Sequence, residues 1–186
     1  MELRVNIVLL LLLAGAWAQL TATTPTVTFA ATDPGTVELA RMEDRFARDR
    51  TDVALARRLA EAYLDLERPG LAVAALRSGD PAILEHPVVA HRLAQAYEQS
   101  GRVRDALATA DLALARCARS LGTSDAPSGT ALPRFACSGH EHAVLRVHRE
   151  ALGYMARWGV SRPQADPRAR VAYDIASRSA RIALSD

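Results

Sequence analysis

The stretch that decides the fold reads ARRLAEAY from Ala56 to Tyr63, and it recurs as AHRLAQAY from Ala90 to Tyr97. The two copies begin thirty-four residues apart, and the following segments keep the same offset. Three pairs of identical residues keep this offset there: Arg68 and Arg102, Ala72 and Ala106, Ala74 and Ala108. A constant offset of this length is typical of stacked helical repeats, in which each repeat is one helix-turn-helix unit.

Apolar and small residues follow a helical spacing inside each copy. Ala56, Leu59, Ala60 and Tyr63 stand at positions i, i+3, i+4 and i+7, which share one face of an α-helix. Small residues let two helices pack closely, and the tyrosine ring fills the space that remains. The sequence therefore predicts pairs of antiparallel helices, with repeats at 53–86 and 87–120.

The spacing Leu-Ala-x-x-Tyr, followed by a turn and a further alanine, resembles the tetratricopeptide repeat. The second copy is the closer match, with Leu93, Ala94 and Tyr97 followed by Gly101 in the turn. The first copy has Glu67 in place of this glycine. The resemblance implies an all-α fold in which antiparallel helix pairs stack as a short right-handed solenoid.

The remaining residues of the helical domain, 36–186, are assigned around these repeats. A helix from Val37 to about Arg48 is predicted to cover the end of the first repeat. Residues 121–138, rich in Gly, Ser, Thr and Pro, are predicted to be a loop. A degenerate third helix pair is predicted at 140–185, because Ala151-x-x-Tyr154 repeats the earlier Ala-x-x-Tyr spacing; a two-helix cap unrelated to the repeats is the alternative. Val144 and Val171 are expected on the buried faces of these last helices.

The first eighteen residues have the pattern of a secretory signal peptide. Arg4 precedes an apolar run that ends in Ala16-Trp17-Ala18, an A-x-A-like cleavage site. The run is shorter than the roughly 20 residues that span a bilayer, although an uncleaved membrane anchor is the alternative. Residues 19–35 are rich in Thr and Pro and are predicted to be a flexible linker. We therefore expect an exported protein, either periplasmic or anchored to the membrane and facing the periplasm.

Charge composition argues against a nucleic-acid partner. All 23 basic residues are arginines, and the formal net charge is only +2. Acidic and basic residues are interspersed along the predicted helices from Val37 to Arg119, which is typical of solvated helix faces and not of a phosphate-binding stripe. Together with the abundance of alanine, the absence of lysine indicates a GC-rich coding bias, which fits a bacterial source. Membrane contact is expected only through the N-terminal segment.

Two cysteines, Cys117 and Cys137, flank the predicted loop. In an exported protein an even number of cysteines indicates a disulfide. Two free thiols are one alternative, and a metal site that includes His140 and His142 is the other. A single Cys-x-x-His spacing is weak evidence for a metal, so no metal or cofactor is predicted. His148 lies beside an apolar stripe and is expected to be a packing residue, not a ligand.

The sequence contains no Gly-rich phosphate loop, nucleophile elbow or His-Glu-x-x-His motif, and a non-enzymatic role is predicted. Tetratricopeptide-repeat proteins generally bind other proteins on a concave surface lined by the first helix of each repeat. The resemblance places eight residues on that surface: Arg57, Glu61, Leu64, Asp65, His91, Gln95, Glu98 and Gln99.

These residues are mostly polar and of mixed charge, and they lack the Lys and Asn clamp with which the family binds C-terminal carboxylates. An extended peptide or a folded protein is therefore the expected partner. The alternative is an envelope redox or metal-handling protein that uses Cys117, Cys137, His140 and His142. A third possibility is a structural assembly subunit, which would form a stable oligomer in solution.

Overall fold

Seven α-helices and one 3-10 helix account for the secondary structure in a computed structural model that describes residues 34–122 and 137–182. They are α1 (Pro34–Arg48), α2 (Val53–Asp65), α3 (Pro69–Ser78), the 3-10 helix (Pro81–Glu85), α4 (Pro87–Gln99), α5 (Val103–Gly122), α6 (Gly139–Arg157) and α7 (Pro167–Ile182). Those two ranges contain no β-strand, which confirms the all-α prediction.

From Glu38 onward the chain forms one compact unit. The first 37 residues are assigned to a separate unit, of which only residues 34–37, at the start of α1, are described. The predicted signal segment and the linker up to residue 33 therefore lie outside the described residues, as do residues 123–136 of the predicted loop.

Local sequence signals explain where the helices begin. Asp52 caps α2, and its side chain accepts a hydrogen bond from the Leu55 amide at 2.9 Å. Ser138 and Glu141 form the capping box at the start of α6. Pro87 occupies the first turn of α4, where its missing N–H group would have no helical partner. The helix predicted from Val37 to about Arg48 is close to the observed α1, whereas the 3-10 helix was not predicted.

From α2 onward, consecutive helices pack against each other, and α4 also contacts both α2 and α6. The small residues predicted at the repeat seam are fully buried, including Ala60 and Ala94. Tyr63 and Tyr97 are buried beside them, so the predicted seam is part of the core. The same apolar cluster includes Phe46 of α1, as expected for a helix that covers the first repeat.

The ends of α2 and α4 repeat the same hydrogen bonds at the thirty-four-residue offset. The Arg68 amide donates to the Tyr63 carbonyl at 2.8 Å, and the Arg102 amide donates to the Tyr97 carbonyl at 2.8 Å. These six-to-one bonds are typical of a Schellman C-cap, which needs one residue in the left-handed conformation. Gly101 supplies it with φ 75°, and Glu67 adopts φ 55° at the equivalent position although it is not glycine.

Helix α6 ends in the same way and corrects the predicted register of the third pair. Gly159 has φ 66°, and the Val160 amide donates to the Met155 carbonyl at 3.0 Å. Met155, which is fully buried, therefore occupies the position of Tyr97, whereas the sequence comparison had placed Tyr154 there. The comparison was one residue out because it matched the tyrosine instead of the turn glycine.

Two apolar side chains expected in the core are exposed. Val144 of α6 is 43% exposed and Val171 of α7 is 49% exposed. The buried face of α6 carries Leu145, His148 and Leu152 instead, and that of α7 consists of alanines such as Ala172 and Ala176. One residue corresponds to about 100° of rotation around a helix. When the buried face is predicted one residue out of register, a residue at its edge is therefore exposed to solvent.

The two C-cap positions give a stability prediction. A non-glycine residue in the left-handed conformation is destabilised by about 1–2 kcal/mol, and Glu67→Gly removes this steric cost. The greater entropy of glycine in the unfolded chain offsets part of the gain. We expect a net stabilisation of about 0.5–1 kcal/mol in urea denaturation. The matched change Gly101→Ala should be destabilising, because its Cβ would lie 2.5 Å from the Ser161 carbonyl oxygen. If Glu67→Gly destabilised the protein and Gly101→Ala stabilised it, the assignment of both positions to the same type of C-cap would be contradicted.

Candidate functional site

Three cavities lie along the C-terminal two thirds of α4, and neighbouring cavities share lining residues. The first, of about 320 Å³, is lined by His91, Gln95, His140, Ala143, Val144, Val147, His148 and Tyr173. The second, of about 510 Å³, is lined by Glu98, Gln99, Pro163, Gln164, Ala169, Arg170, Tyr173 and Asp174. The third, of about 520 Å³, is lined by Leu64, Asp65, Glu67, Pro69, Gln99 and Gln164. Together we call these three cavities the groove.

Six of the eight residues predicted for the binding surface line the groove: Leu64, Asp65, His91, Gln95, Glu98 and Gln99. Arg57 and Glu61 are outside these three cavities. Glu61 bridges α2 and α4 through an ion pair of 2.6 Å with Arg92, and Arg57 approaches the same carboxylate at 3.5 Å. Arg92 also donates to the Gln95 side chain at 2.8 Å, so this network joins the two repeats beside the groove.

Leu64 and His91 were predicted to lie on the exposed binding surface, but both are buried. Each is only 9% exposed. Leu64 packs in the main apolar cluster, and the His91 ring lies 4.8 Å from that of His148 between ring centres. Each residue lines a cavity of the groove and is also buried against neighbouring helices. Helical spacing along α2 and α4 alone therefore does not distinguish groove residues from core residues.

A buried polar cluster connects α4, α6 and α7 between the first two cavities. The Glu98 carboxylate accepts from His148 Nε2 at 2.9 Å and from the Tyr173 hydroxyl at 2.9 and 3.0 Å. The His148 and Tyr173 rings are nearly parallel, with 7° between their planes. An ionised carboxylate can only accept, so His148 Nε2 is the donor in the hydrogen bond to Glu98. The other nitrogen of that ring, Nδ1, is buried and has no hydrogen-bond partner among the described residues.

Burial changes the acid–base behaviour of two members of this cluster. Burial, and then the neighbouring His148 and Arg92, lower the pKa of His91 to about 3. Burial, followed by the charge and hydrogen bond of Glu98, raises the pKa of Tyr173 above its usual value. His91 and Tyr173 are therefore uncharged over the whole physiological pH range.

Sequence reasoning identified Glu98 and His91 but not the residues that complete the cluster. His148 was correctly expected to be buried, but no partner was predicted for it. Tyr173 was not singled out, since only the fold brings α7 against the end of α4. A polar residue such as His148 on the apolar face of an amphipathic helix is the one sequence signal that could have indicated the cluster.

The neutral state of His91 predicts a loss of stability in acid. Because its folded pKa of about 3 is below the unfolded value near 6.5, the unfolded chain binds the extra proton between these pH values. Its contribution is present above pH 6.5 and declines as the pH falls towards 3. When the pH is lowered from 6.5 to 4.5, we expect the free energy of unfolding of His91→Gln to fall by about 2 kcal/mol less than that of the wild type. Urea denaturation at both pH values measures this difference.

A surface change that removes no titratable group, Leu112→Gln, provides the control for this measurement. Leu112 is exposed on α5, so this variant should keep the wild-type pH dependence. If His91→Gln and the wild type lost equal stability between the two pH values, His91 would not be buried in its neutral form.

The structure confirms the predicted disulfide between Cys117 and Cys137, whose Cα atoms are 5.2 Å apart. His140 and His142 do not form one site with them, because His140 lines the first cavity of the groove and His142 lines another cavity between α5 and α6. Residues two positions apart on a helix point in different directions. Within residues 34–122 and 137–182, no three His, Cys, Asp or Glu side chains are grouped so that they could hold a metal ion.

None of the helices in the described part of the chain is long and apolar enough to cross a bilayer. No protein-family model, curated protein or solved structure matches this chain.

Proposed function

We propose that this chain is a non-enzymatic, exported interaction module of the tetratricopeptide-repeat type, and that it binds an extended peptide of a partner protein in the groove. The observation that carries the proposal is that six residues predicted from the repeat pattern line three adjoining cavities. A chain of cavities that share their walls suits an extended ligand that contacts the protein at several points.

The repeat geometry supports the same proposal. The thirty-four-residue offset extends from side-chain types to the hydrogen bonds at the ends of α2 and α4. The first helices α2, α4 and α6 are neighbours in the fold, and α2, α4 and α6 each supply residues to the groove. In a stack of this kind, successive first helices form a continuous binding surface.

The mixed polarity of the groove favours a peptide over a highly charged ligand. Glutamines Gln95, Gln99 and Gln164 provide both donors and acceptors for a peptide backbone. Acidic Glu98 and Asp174 and basic Arg170 line the second cavity, so charges of both signs occur there. Export is supported by the disulfide, because such bonds persist in oxidising compartments.

The rival redox or metal-handling function receives less support from the geometry. It requires the thiolates of Cys117 and Cys137 beside His140 and His142. The two cysteines are bonded to each other, and the two histidines line different cavities.

The proposal predicts that the groove can be changed without affecting the fold. Alanine at Asp65, Gln99, Arg170 and Asp174 together should weaken capture of the partner roughly tenfold or more, because these exposed side chains line the groove. Helix content and melting temperature should change little. Affinity capture from an envelope extract of the source cells, with quantitative mass spectrometry, measures the effect.

A matched control carries four alanine substitutions at exposed helix positions outside the groove: Arg77, Arg104, Leu112 and Arg178. This variant should capture the same protein as well as the wild type does. If the control variant lost the partner and the groove variant kept it, the interface would be on the other face of the helices.

A further inference from the structure

The second and third cavities of the groove have an excess of acidic side chains. Asp65 and Glu67 line the third cavity, whose described wall contains no basic residue. Glu98 and Asp174 line the second cavity together with Arg170, the one basic side chain in its described wall. The whole chain has a formal net charge of +2, so this negative character belongs to the groove and not to the protein as a whole.

The acidic side chains of these two cavities are also unusual in their lack of partners. Most carboxylates in the described part of the chain form ion pairs with arginine or accept hydrogen bonds. Among the described residues, Asp65, Glu67, Glu150 and Asp174 do neither. All of them except Glu150 line the second or third cavity, and those three are exposed. A ligand can therefore reach them without breaking an interaction inside the protein.

The helix ends beside the third cavity add to this negative character. The C-terminal end of a helix carries a partial negative charge, which a nearby cation stabilises. Helices α1, α3, α5 and α6 each have an arginine in the last turn, whereas α2 and α4, whose ends line the third cavity, have none. Arg68 and Arg102 follow these two helices, but neither lines the second or third cavity, and Arg102 is paired with Asp105. A cation in the third cavity therefore meets two negative helix ends as well as the carboxylates.

Basic side chains of a peptide suit walls of this composition. Arginine and lysine keep the charged group in water while the aliphatic stem covers apolar surface. Pro69 in the third cavity and Pro163 and Ala169 in the second provide such surface next to the carboxylates. An acidic segment would instead be repelled by the same walls.

We infer that the peptide bound in the groove carries at least two basic residues, one over Asp65 and Glu67 in the third cavity and one over Asp174 in the second. This inference rests on the proposed function, because it assigns the charge of the peptide that the groove binds. It does not depend on the protonation of the buried cluster around Glu98, because the three carboxylates that it uses are exposed.

The geometry of the groove limits the spacing of the two basic residues. The two cavities adjoin at Gln99 and Gln164, and their acidic residues belong to α2 and α7. Neighbouring helix axes are about 8–10 Å apart, and an extended chain advances about 3.3 Å per residue. One to two helix spacings therefore correspond to basic residues roughly three to six positions apart.

Peptides that differ only in charge test this inference. A set of acetylated and amidated alanine–glutamine peptides carries two arginines at these spacings, and in each counterpart citrulline replaces both arginines. Citrulline keeps the length and shape of the side chain but has no charge. By fluorescence polarisation at low ionic strength, we expect the best arginine peptide to bind roughly fivefold or more tightly than its citrulline counterpart. Added salt should reduce this advantage, because it screens exposed charges.

Three results with these probes would overturn the inference. The first is that no arginine peptide binds more tightly than its citrulline counterpart. The second is that peptides with glutamate in place of arginine bind as tightly as the arginine peptides. The third is that spermidine displaces the best arginine peptide at an equal or lower concentration, which would assign the acidic walls to a small polyamine.

Neutral groove side chains should remove the preference for arginine. The variant combines Asp65→Asn, Glu67→Gln and Asp174→Asn, which keep the size of each side chain. It should bind arginine and citrulline peptides with similar affinity. Its melting temperature should stay close to that of the wild type, because these side chains are exposed. A preference for arginine that survived in this variant would contradict the inference.

A control variant with the same change in net charge tests the location. Glu38→Gln, Asp44→Asn and Glu150→Gln remove carboxylates that do not line the three cavities of the groove. This variant should keep the wild-type preference for arginine peptides. An equal loss of preference in both variants would indicate a general attraction by the protein surface and overturn the assignment to the groove.

The outcomes separate this inference from the proposed function. If arginine and citrulline peptides bind alike but the fourfold alanine variant of the groove still loses the partner, the basic peptide is wrong and the groove stands. If arginine peptides bind as expected but the fourfold alanine variant captures the partner normally, the assignment of these carboxylates to the partner's peptide is overturned.

Discussion

Replacement of Tyr97 with alanine should lower the free energy of unfolding by roughly 3–5 kcal/mol, the usual cost of removing a large aromatic side chain from a core. Tyr97 is 5% exposed and belongs to the main apolar cluster. It also supports the guanidinium group of Arg102, which lies 4.5 Å above its ring. Because Tyr97 is at the seam of the second helix pair, the space left by its ring cannot be filled by the surrounding alanines, Ala94 and Ala106.

Urea denaturation followed by circular dichroism measures this loss. Arg104→Ala is the control, because its side chain is exposed on α5 and such surface changes usually stay within about 0.5 kcal/mol. Equal midpoints for Tyr97→Ala and Arg104→Ala would contradict the role of the tyrosine in the repeat seam.

Removal of the disulfide should cost about 3 kcal/mol, because the bond closes a segment with a sequence separation of 20 residues. Cys117 and Cys137 also form the centre of the smaller apolar cluster with Ala90, Ala113 and Leu145. The double change Cys117→Ala and Cys137→Ala should therefore lower the melting temperature and leave helix content at low temperature nearly unchanged. The wild type should lose stability similarly when a reductant is added.

The double alanine variant should be insensitive to reductant, which separates the effect of the bond from any other effect of the reagent. Thiol titration of denatured, non-reduced protein from an oxidising compartment should detect no reactive thiol. Two reactive thiols, or the same melting temperature of the wild type with and without reductant, would contradict the disulfide.

Much of the fold could be predicted because its signals are local. Proline, capping side chains and turn glycines fix the ends of helices, as Asp52, Pro87 and Gly159 do for α2, α4 and α6. The repeat offset then identified the buried seam through Ala60, Ala94 and Tyr97. The third pair was predicted less well, because Met155 replaces the tyrosine and only the turn at Gly159 preserves the register.

The candidate site was predicted only in part because it depends on long-range packing. The first helices supplied Gln95, Glu98 and Gln99, as the repeat pattern implied. The wall formed by His148 and Tyr173 depends on how α6 and α7 pack on α4, and no local spacing encodes this packing. The burial of Leu64 and His91 has the same origin.

Cross-linking from the groove tests the central claim most directly. A photoreactive benzoyl-phenylalanine is placed at Gln99, which lines both the second and third cavities, and in a separate protein at Leu112, which is 56% exposed on α5. Each protein is irradiated in an envelope extract of the source cells, and the adducts are identified by mass spectrometry. The account predicts that Gln99 cross-links to one partner protein through an extended segment and that Leu112 does not. Adducts of that partner from Leu112 and none from Gln99 would contradict it.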